Sequence, residues 1–339
     1  MEADFQTFAN NKELIANIES NLDYLNDQFN VLKDLTKITV SDESFNQAIT
    51  AFYKVFELIP LLAPHINSYE MPFFRARHNK IKNKLYKNIG DISYNKERPD
   101  LIEAGRFNQP KQAVFYASLP FENIPINPSL TACLETCKGL TDQNHPVQLT
   151  DFTISRWKIK SPFYVINFCF DEDHLKANAE LKLQTDEYLN NIKACLNKYA
   201  SDFVLEFLTY FSEMSGNRTP TKNEYYILTA MFYAMRYYYK EKLKKDIHGL
   251  IYPSAMTETN GLNIVLTTTA VDKFLKPDKV AMYRFFLDGK TYHAAPCSNA
   301  VDILNDEFNI TGFRRIPENR WYTVECEAEN GGPLKESRD

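Results

Sequence analysis

The sequence has little glycine, and its glycines do not form a phosphate-binding loop. Only 10 of the 339 residues are glycine. Neither G-x-G-x-x-G nor G-x-x-x-x-G-K-[ST] occurs, which excludes a Rossmann dinucleotide fingerprint and a P-loop. Any bound nucleotide must therefore be held by side chains rather than by a glycine-rich turn at a helix N-terminus.

Other absences narrow the class of protein. No apolar run is long enough to cross a bilayer, and the polar, acidic start MEADFQTFANNK is unlike a signal peptide. The net charge is −5 with both signs dispersed, whereas a nucleic-acid-binding domain needs a basic surface. The six cysteines form no C-x-x-C pair, and the six histidines are scattered. We therefore expect a cytoplasmic protein with reduced thiols, no metal, no membrane contact and no direct nucleic-acid binding.

What is present is a globular mixture of amphipathic helices and aromatic strands, with 24 Phe, 20 Tyr and 44% hydrophobic residues. Apolar residues at spacings of three and four predict one helix over residues 11 to 35 and a second that ends before IPLLAP, an N-terminal helical pair. Strands are predicted between 72 and 170 and again from 249, with helices between 175 and 245. Thr221 and Glu224 predict a capping box. Because helices and strands come in blocks, the predicted fold class is α+β.

The C-terminal part carries two further local signals. Asp288 and Gly289 are a pair typical of a tight hairpin turn, so YRFFLDGKTYHA predicts a β-hairpin. The tail ENGGPLKESRD has the composition of a loose terminus. No G-x-S-x-G motif occurs, and no cysteine lies in a recognisable protease context, so nucleophilic catalysis has no support in the sequence.

Several polar groups stand out against this apolar background. MPFFRARHNK places Arg75 and Arg77 at alternate positions of a strand, so both should lie on one face. Arg106 lies in a turn before AVFYAS, and Ser254 lies in a Pro-containing turn. Glu135 lies among the apolar residues of ACLET. Taken alone, each arginine is typical of a surface or salt-bridge residue, but its planar guanidinium binds phosphate oxygens in pairs. Together these turns predict a cleft that holds a dinucleotide.

The order of these motifs resembles the RES domain family. F-F-R-A-R is followed by G-R-F-N with V-F-Y-A-S, then by a helix carrying L-E, and later by G-L-I-Y-P-S and G-L-N-I-V-L. The resemblance covers about residues 72 to 275. It implies an ADP-ribosyltransferase-like fold with a split β core, here with helical insertions. It also implies consumption of NAD⁺ by hydrolysis or phosphorolysis of the nicotinamide–ribose bond, with NAD⁺ as substrate and no cofactor.

The resemblance assigns seven residues to the site. The implied catalytic residues are Arg75, Glu135 and Ser254. The implied NAD⁺-binding residues are Arg75, Arg77, Arg106, Tyr116 and Asn263. In this chemistry nicotinamide leaves as a neutral molecule, so no general acid is needed. A fixed carboxylate instead stabilises the oxocarbenium-like ribosyl cation, while the arginines hold the pyrophosphate.

Three regions follow from this resemblance. Residues 1–70 are expected to be a regulatory or oligomerisation region, residues 71–290 the NAD⁺-binding catalytic domain, and residues 291–339 a C-terminal extension. The family implies a toxin or defence effector that depletes NAD⁺, with a helix-turn-helix antitoxin or another regulator, or a second copy of the chain, as partner. Two alternatives stay open: ADP-ribosyl transfer to a protein or nucleotide, and a non-catalytic binding or scaffold module that keeps the RES fold.

Overall fold

The computed structural model describes residues 11–67, 72–79, 85–120, 128–137, 140, 149–257, 261–288, 291–313, 323–325 and 335–337. The chain forms two compact units, each built from three segments. Unit 1 comprises Met1–Ile66, Arg98–Val114 and Phe163–Pro253, and unit 2 comprises Asn67–Glu97, Phe115–Pro162 and Ser254–Asp339. The functional division at residues 70 and 290 stays a prediction.

Ten α-helices and thirteen β-strands lie within the described residues. The helices are α1 (Lys12–Ser20), α2 (Leu22–Leu35), α3 (Asp42–Phe56), α4 (Ile89–Ile92), α5 (Pro128–Thr136), α6 (Glu172–Leu175), α7 (Ala179–Cys195), α8 (Lys198–Gly216), α9 (Lys222–Leu243) and α10 (Thr268–Phe274). The strands are β1 (His65–Ile66), β2 (Phe73–His78), β3 (Val114–Ser118), β4 (Leu149–Ile159), β5 (Phe163–Tyr164), β6 (Ile166–Asn167), β7 (Gly249–Pro253), β8 (Leu262–Thr267), β9 (Leu275–Asp288), β10 (Thr291–Pro296), β11 (Val301–Asp302), β12 (Thr323–Glu325) and β13 (Lys335–Ser337).

Helices and strands are segregated between the two units. Unit 1 holds the long helices α2, α3, α7, α8 and α9, whereas unit 2 holds the long strands β4 and β9 with three short helices. This segregation confirms the α+β fold class that the block pattern predicts. The finer expectation of an ADP-ribosyltransferase-like split β core stays a prediction.

The core of unit 1 is built from phenylalanine rings on α2, α3 and α8. Phe52 and Phe211 have ring centroids 4.8 Å apart, and Phe207 lies 5.0 Å from Phe211. Phe29 adds a ring from α2, 5.4 Å from Phe207. Edge-to-face ring pairs at such distances stabilise a core beyond the area they bury. The apolar stripes predicted for α2 and α3 therefore face inward, where they pack against rings of α8.

The first predicted helix is divided in two, contrary to the expectation of one helix over residues 11 to 35. Asn21 lies between α1 and α2, and its side-chain amide donates to the Asn17 carbonyl at 2.7 Å. Its backbone N–H contacts the carbonyls of Asn17 and Ile18 at 3.2 and 3.3 Å. Asparagine side chains compete with the helical ladder in this way. The N-terminal pair is thus a set of three helices, and α3 ends at Phe56 as predicted.

The predicted capping box opens α9. The Thr221 hydroxyl accepts from the Glu224 N–H at 3.1 Å, and the Glu224 carboxylate accepts from the Thr221 N–H at 2.6 Å. These reciprocal bonds satisfy backbone donors that a helix N-terminus otherwise leaves unpaired. The sequence pattern located this helix start correctly.

Unit 2 is organised around a sheet in which β10, β9, β4, β2 and β3 pair antiparallel in turn. Its strands follow the order β10-β9-β4-β2-β3-β8, and β11 also pairs with β9. β9 and β4 form the longest ladder, with Thr153 opposite Met282, and β2 lies on the other edge of β4, with Arg75 opposite Ser155. β2 meets β3 through Phe74 and Ser118. The sheet thus places the FFRAR and VFYAS segments side by side.

Helix α5 packs against one face of this sheet. Ala132 and Cys133 of α5 belong to a buried cluster with Ala76 of β2 and Phe152 of β4. The Thr136 hydroxyl also donates to the Ala76 carbonyl at 3.3 Å. Since alternate strand residues point to opposite faces, α5 lies on the Ala76 face of β2. This packing fixes α5 relative to the sheet and so determines where the Glu135 side chain lies.

Two C-terminal predictions fall partly outside the described residues. β9 and β10 pair antiparallel from Asp288 and Thr291 onward, which confirms the hairpin, although Gly289 and Lys290 lie outside the description. In the tail predicted to be loose, β13 pairs with β12, and the rest of the tail is not described. Among the helices that are described, none combines the length and apolarity that a membrane span requires.

The aromatic core of unit 1 gives a stability prediction. Phe211→Ala removes a fully buried ring and should lower the free energy of unfolding by about 3–5 kcal/mol, through lost burial and the cavity left behind. Tyr199→Ala on the same helix, at a residue 76% exposed, should change it by less than about 0.5 kcal/mol. Urea denaturation followed by circular dichroism measures both; equal losses would contradict this core.

Candidate functional site

One carboxylate oxygen gathers three donors in unit 2. Oε1 of Glu135 accepts from the Ser254 hydroxyl at 2.7 Å, from the side-chain amide of Asn263 at 2.9 Å and from the Ala255 N–H at 3.0 Å. An ionised carboxylate offers acceptor sites only, and all three partners are donors. The carboxylate is therefore held in one orientation by residues more than a hundred positions away in sequence.

A second layer of hydrogen bonds holds the donors themselves. The Ser118 hydroxyl donates to Oδ1 of Asn263 at 3.1 Å, which fixes the amide so that its NH₂ faces Glu135. The Met256 N–H donates to the Ser254 hydroxyl at 3.3 Å. Ser118, Ser254 and Asn263 are all buried, where satisfied polar networks are rigid. The four side chains Glu135, Ser254, Asn263 and Ser118 are called the Glu135 cluster below.

Local chain geometry brings Ser254 to the cluster. Strand β7 ends at Pro253, and the Ser254 N–H then donates to the Gly261 carbonyl at 2.8 Å, which closes a short loop before β8. A Cβ atom on Gly261 would lie 2.9 Å from the Ser254 Cβ and 2.4 Å from the Thr257 hydroxyl. Only glycine allows this close approach. The close approach of Ser254 and Gly261 therefore requires the glycine of the G-L-N motif as well as the serine of the Y-P-S motif.

Arg75 and Arg77 share a different environment. Both guanidinium groups donate to the Ser93 carbonyl, Arg75 at 3.3 Å and Arg77 through a shorter contact. Arg75 also donates to the Tyr116 carbonyl at 2.6 Å and lies over the Phe115 ring, 4.8 Å from its centroid. The shared acceptor confirms that the two arginines point to one face of β2.

The two arginines are half-buried cations, and the described residues place no carboxylate within ion-pair distance of them. Burial lowers the pKa of Arg75 well below its usual value, and the charge of Arg77 lowers it further, while Tyr116 raises it. Burial also lowers the pKa of Arg77, which Tyr86 and Asp91 partly offset. Neither arginine forms an ion pair with a residue that the structure describes. Charges removed from water are usually paired, whereas these two arginines share only backbone carbonyl acceptors.

The arginine pair lies on the face of β2 opposite helix α5, which carries Glu135. Ala76 faces α5, so its neighbours Arg75 and Arg77 leave β2 on the opposite face. Within the described part of unit 2, the hydrogen bonds of Arg75 go to Tyr116 and Ser93 and not to Glu135. The described hydrogen bonds of both arginines go to backbone carbonyls, and the predicted roles of these arginines in holding the pyrophosphate stay predictions.

Arg106 and Tyr116 lie in different units and in different environments. Arg106 belongs to unit 1, is buried, and donates to the Asn217 carbonyl at 2.6 Å, while its own carbonyl accepts from Thr229 at 3.4 Å. Tyr116 is a half-buried residue of β3 whose carbonyl accepts from Arg75. Their predicted contacts with NAD⁺ stay predictions.

Sequence reasoning missed two contributors to this region. Ser118 lies within V-F-Y-A-S, two residues beyond Tyr116 and so on the same strand face, but the resemblance assigns it no role. A serine within an otherwise apolar, aromatic strand is the sequence signal that could have identified Ser118. Ser93 contributes only its backbone carbonyl to the arginines, and no side-chain pattern indicates such a contact.

Metal and thiol chemistry find no support at this site. Across the described ranges, no group of three or more His, Cys, Asp and Glu side chains could hold a metal ion. Cys133, two residues before Glu135, is buried, and burial raises the pKa of its thiol well above the usual value, with a further increase from Cys137. A thiol in this state is a poor nucleophile.

The Glu135 cluster gives a prediction that distinguishes charge from hydrogen bonding. Glu135→Ala leaves three donors without their acceptor and should lower the free energy of unfolding by more than about 2 kcal/mol, since each buried unsatisfied donor costs about 1–3 kcal/mol. Glu135→Gln keeps a side-chain oxygen and should cost less than half as much. Chemical denaturation of both variants measures this difference; equal losses would mean that the acceptor oxygen does not hold the cluster together.

Comparisons with known proteins do not assign the chain to a family. No protein-family model matches it, and no curated protein matches it in sequence. The resemblance to the RES domain therefore rests on the motifs that carry Arg75, Arg106, Tyr116, Glu135 and Ser254, and it stays a prediction.

Proposed function

We propose that this chain cleaves the nicotinamide–ribose bond of NAD⁺, by hydrolysis or phosphorolysis, and so depletes NAD⁺ as a toxin or defence effector. One observation carries the proposal. Glu135, Ser254 and Asn263, three residues that the RES resemblance assigns to its site, meet at a single carboxylate oxygen. They lie 119 and 128 positions apart along the chain, so their meeting is a property of the fold and not of local sequence.

Glu135 supplies the electrostatic part of this chemistry. When the bond between ribose C1′ and nicotinamide breaks, its electron pair passes to the nicotinamide nitrogen and positive charge develops on the ribose. A carboxylate fixed beforehand stabilises that charge without reorganising during the reaction. The three donors on Oε1 provide such fixation. Ser254 and Asn263 therefore act as positioning residues for the carboxylate.

The arginine pair supports an anionic ligand. Two guanidinium groups share one carbonyl acceptor and have no ion-pair partner among the described residues. An anion with several oxygens, such as a diphosphate, would satisfy both charges. The arginine side chains leave β2 on the face opposite α5, which carries Glu135. Binding of the diphosphate by the arginines is therefore a separate hypothesis from charge stabilisation by Glu135. The two halves of the proposal are therefore tested separately.

The first test is direct. Purified protein incubated with NAD⁺ should release nicotinamide, and Glu135→Gln should lower kcat by about 100-fold, the usual loss when one group that stabilises developing charge is removed. Glu213→Gln, at an exposed residue of α8, is the matched control and should keep full activity. Chromatography of nicotinamide and ADP-ribose measures the products.

The outcomes separate the three readings of the site. Free ADP-ribose or its phosphorylated form supports NAD⁺ degradation. Label from NAD⁺ that is found on a protein or nucleotide supports ADP-ribosyl transfer at the same site. Wild-type protein that leaves NAD⁺ intact with water, phosphate and acceptor proteins all offered would overturn the enzymatic proposal and leave a binding module.

The second test addresses the arginine pair. Arg77→Gln should raise KM for NAD⁺ by about tenfold or more, because charge-assisted hydrogen bonds contribute about 1.5–3 kcal/mol, and should leave kcat close to the wild-type value. Cleavage of nicotinamide riboside, which lacks the diphosphate, should not change. Arg98→Gln, with a side chain 61% exposed, is the control. Equal losses with both substrates would show that Arg77 does not read the diphosphate.

A further inference from the structure

Helix α4 lies within a segment that contacts both arginines of β2. Residues 86–94, called the α4 segment below, contain Ser93, whose backbone carbonyl accepts from the guanidinium groups of Arg75 and Arg77. Because both guanidinium groups donate to this one oxygen, they converge at the point where the segment places it. The position of the α4 segment in unit 2 therefore determines how the two arginines are oriented relative to each other.

The α4 segment is anchored on both sides of Ser93. On the N-terminal side, the Ile89 N–H donates to the Asp306 carbonyl at 2.9 Å. On the C-terminal side, the Tyr94 hydroxyl donates to the carboxylate of Asp272, with its oxygen 2.9 and 2.8 Å from the two carboxylate oxygens. Tyr94 follows Ser93 directly in the chain, so this second anchor acts next to the carbonyl that the arginines share.

The contact between Tyr94 and Asp272 joins a buried residue to a charged acceptor on helix α10. Tyr94 is 7% exposed, whereas Asp272 is exposed. Burial raises the pKa of Tyr94 to about 12, with a further contribution from the hydrogen bond to Asp272. The hydroxyl therefore keeps its proton at neutral pH and acts as a donor. Hydrogen bonds to an ionised acceptor are stronger than those between neutral groups, so this contact holds the end of the α4 segment firmly.

We propose that Tyr94 and Asp272 are positioning residues for a diphosphate-binding arginine pair, and that they act through the Ser93 carbonyl. Their hydrogen bond holds this carbonyl in place, and the carbonyl holds the two guanidinium groups side by side. Guanidinium groups that are oriented beforehand lose less side-chain entropy when they bind a ligand. The inference rests on the proposed function where it concerns NAD⁺, whereas binding of inorganic diphosphate can be measured without any reaction.

The Ser93 carbonyl orients the arginines without neutralising them. A carbonyl oxygen accepts hydrogen bonds but carries no net charge, so both positive charges remain available to an anion. The Nε atoms of Arg75 and Arg77 also have no hydrogen-bond partner among the described residues. Both residues are half-buried rather than enclosed. A diphosphate has several anionic oxygens and so can pair with two such groups at once.

Titration of the full chain with inorganic diphosphate tests the positioning role without reference to activity. Wild-type protein should bind diphosphate, and Arg77→Gln should abolish this binding. Tyr94→Phe keeps the ring but loses the hydroxyl, so it should raise the Kd about tenfold, which corresponds to 1.4 kcal/mol. Isothermal titration calorimetry measures each Kd.

Substitutions of Asp272 test the same contact from its exposed end. Asp272→Ala removes the acceptor without changing a buried residue, and it should raise the Kd as much as Tyr94→Phe does. Asp272→Asn keeps an oxygen that can accept from the Tyr94 hydroxyl and should hold the Kd within about threefold of the wild-type value. Rescue by asparagine would show that the hydrogen bond, and not the charge of Asp272, supports binding.

Tyr188→Phe is the matched control. Tyr188 is a half-buried tyrosine of unit 1 whose hydroxyl donates to the Pro60 carbonyl at 2.7 Å. Its loss should lower the melting temperature and leave the affinity for diphosphate unchanged. The comparison separates an effect on the arginine pair from a general loss of stability.

Kinetics extend the test to the proposed reaction. Tyr94→Phe should raise KM for NAD⁺ about tenfold and leave kcat close to the wild-type value, because the Glu135 cluster is unchanged. Cleavage of nicotinamide riboside, which has no diphosphate, should be unaffected. A purely structural role of Tyr94 would instead change the cleavage of both substrates alike.

Three results would overturn the inference. They are wild-type affinity for diphosphate in both Tyr94→Phe and Asp272→Ala, no binding of diphosphate by the wild-type protein, and binding that survives Arg77→Gln. By contrast, a wild-type protein that leaves NAD⁺ intact but binds diphosphate through Tyr94 and Arg77 would overturn the proposed function and support the positioning role. The two failures are therefore distinguishable.

Discussion

The candidate site depends on the fixed position of the Glu135 carboxylate. Helix α5 carries Glu135 and is packed on the sheet through Ala76 and Phe152. One oxygen of this carboxylate then accepts hydrogen bonds from Ser254, Ala255 and Asn263, which lie more than a hundred positions later in the sequence. A carboxylate held in this way keeps its negative charge at one point, which is the property that charge stabilisation in catalysis requires. If the donors were lost, α5 would keep its apolar contacts but the charge would no longer be directed.

Arg75 and Arg77 place two positive charges on the opposite face of β2 from the negative charge of Glu135. Arg75 reaches the Tyr116 carbonyl of the neighbouring strand, and both arginines reach the Ser93 carbonyl. These contacts satisfy single N–H groups but do not neutralise two charges. Burial lowers the pKa of both groups, which expresses the cost of keeping them charged away from water. An anion on this face would remove that cost, and it would do so whether or not the Glu135 cluster binds the same molecule.

The sequence predicts the secondary structure better than the tertiary contacts between polar side chains. Apolar spacing and the capping box located α3 and α9, and short aromatic or β-branched runs located β2, β3, β7 and β8, because those signals are local. The central strand β4 was not predicted from any motif. The break at Asn21 was missed, since a side chain competing with the helical ladder leaves no trace in apolar periodicity. Glu135, Ser254 and Asn263 were identified from a family resemblance, and their contact needs the packing of α5 on the sheet. The separation of the arginines from Glu135 needs strand pairing, which periodicity alone does not give.

Buried side-chain N–H and O–H groups without a hydrogen-bond partner occur in both units, and four of them lie in unit 2. The Nε atoms of Arg75 and Arg77 and the hydroxyls of Thr131 and Thr257 are buried without partners among the described residues. A network whose purpose is only structural gains nothing from such groups, because apolar side chains of similar volume would fill the same space at lower cost. Natural proteins tolerate local violations of this kind mainly where a ligand later satisfies them. The unsatisfied groups around β2 and α5 therefore support the proposal that unit 2 binds a ligand.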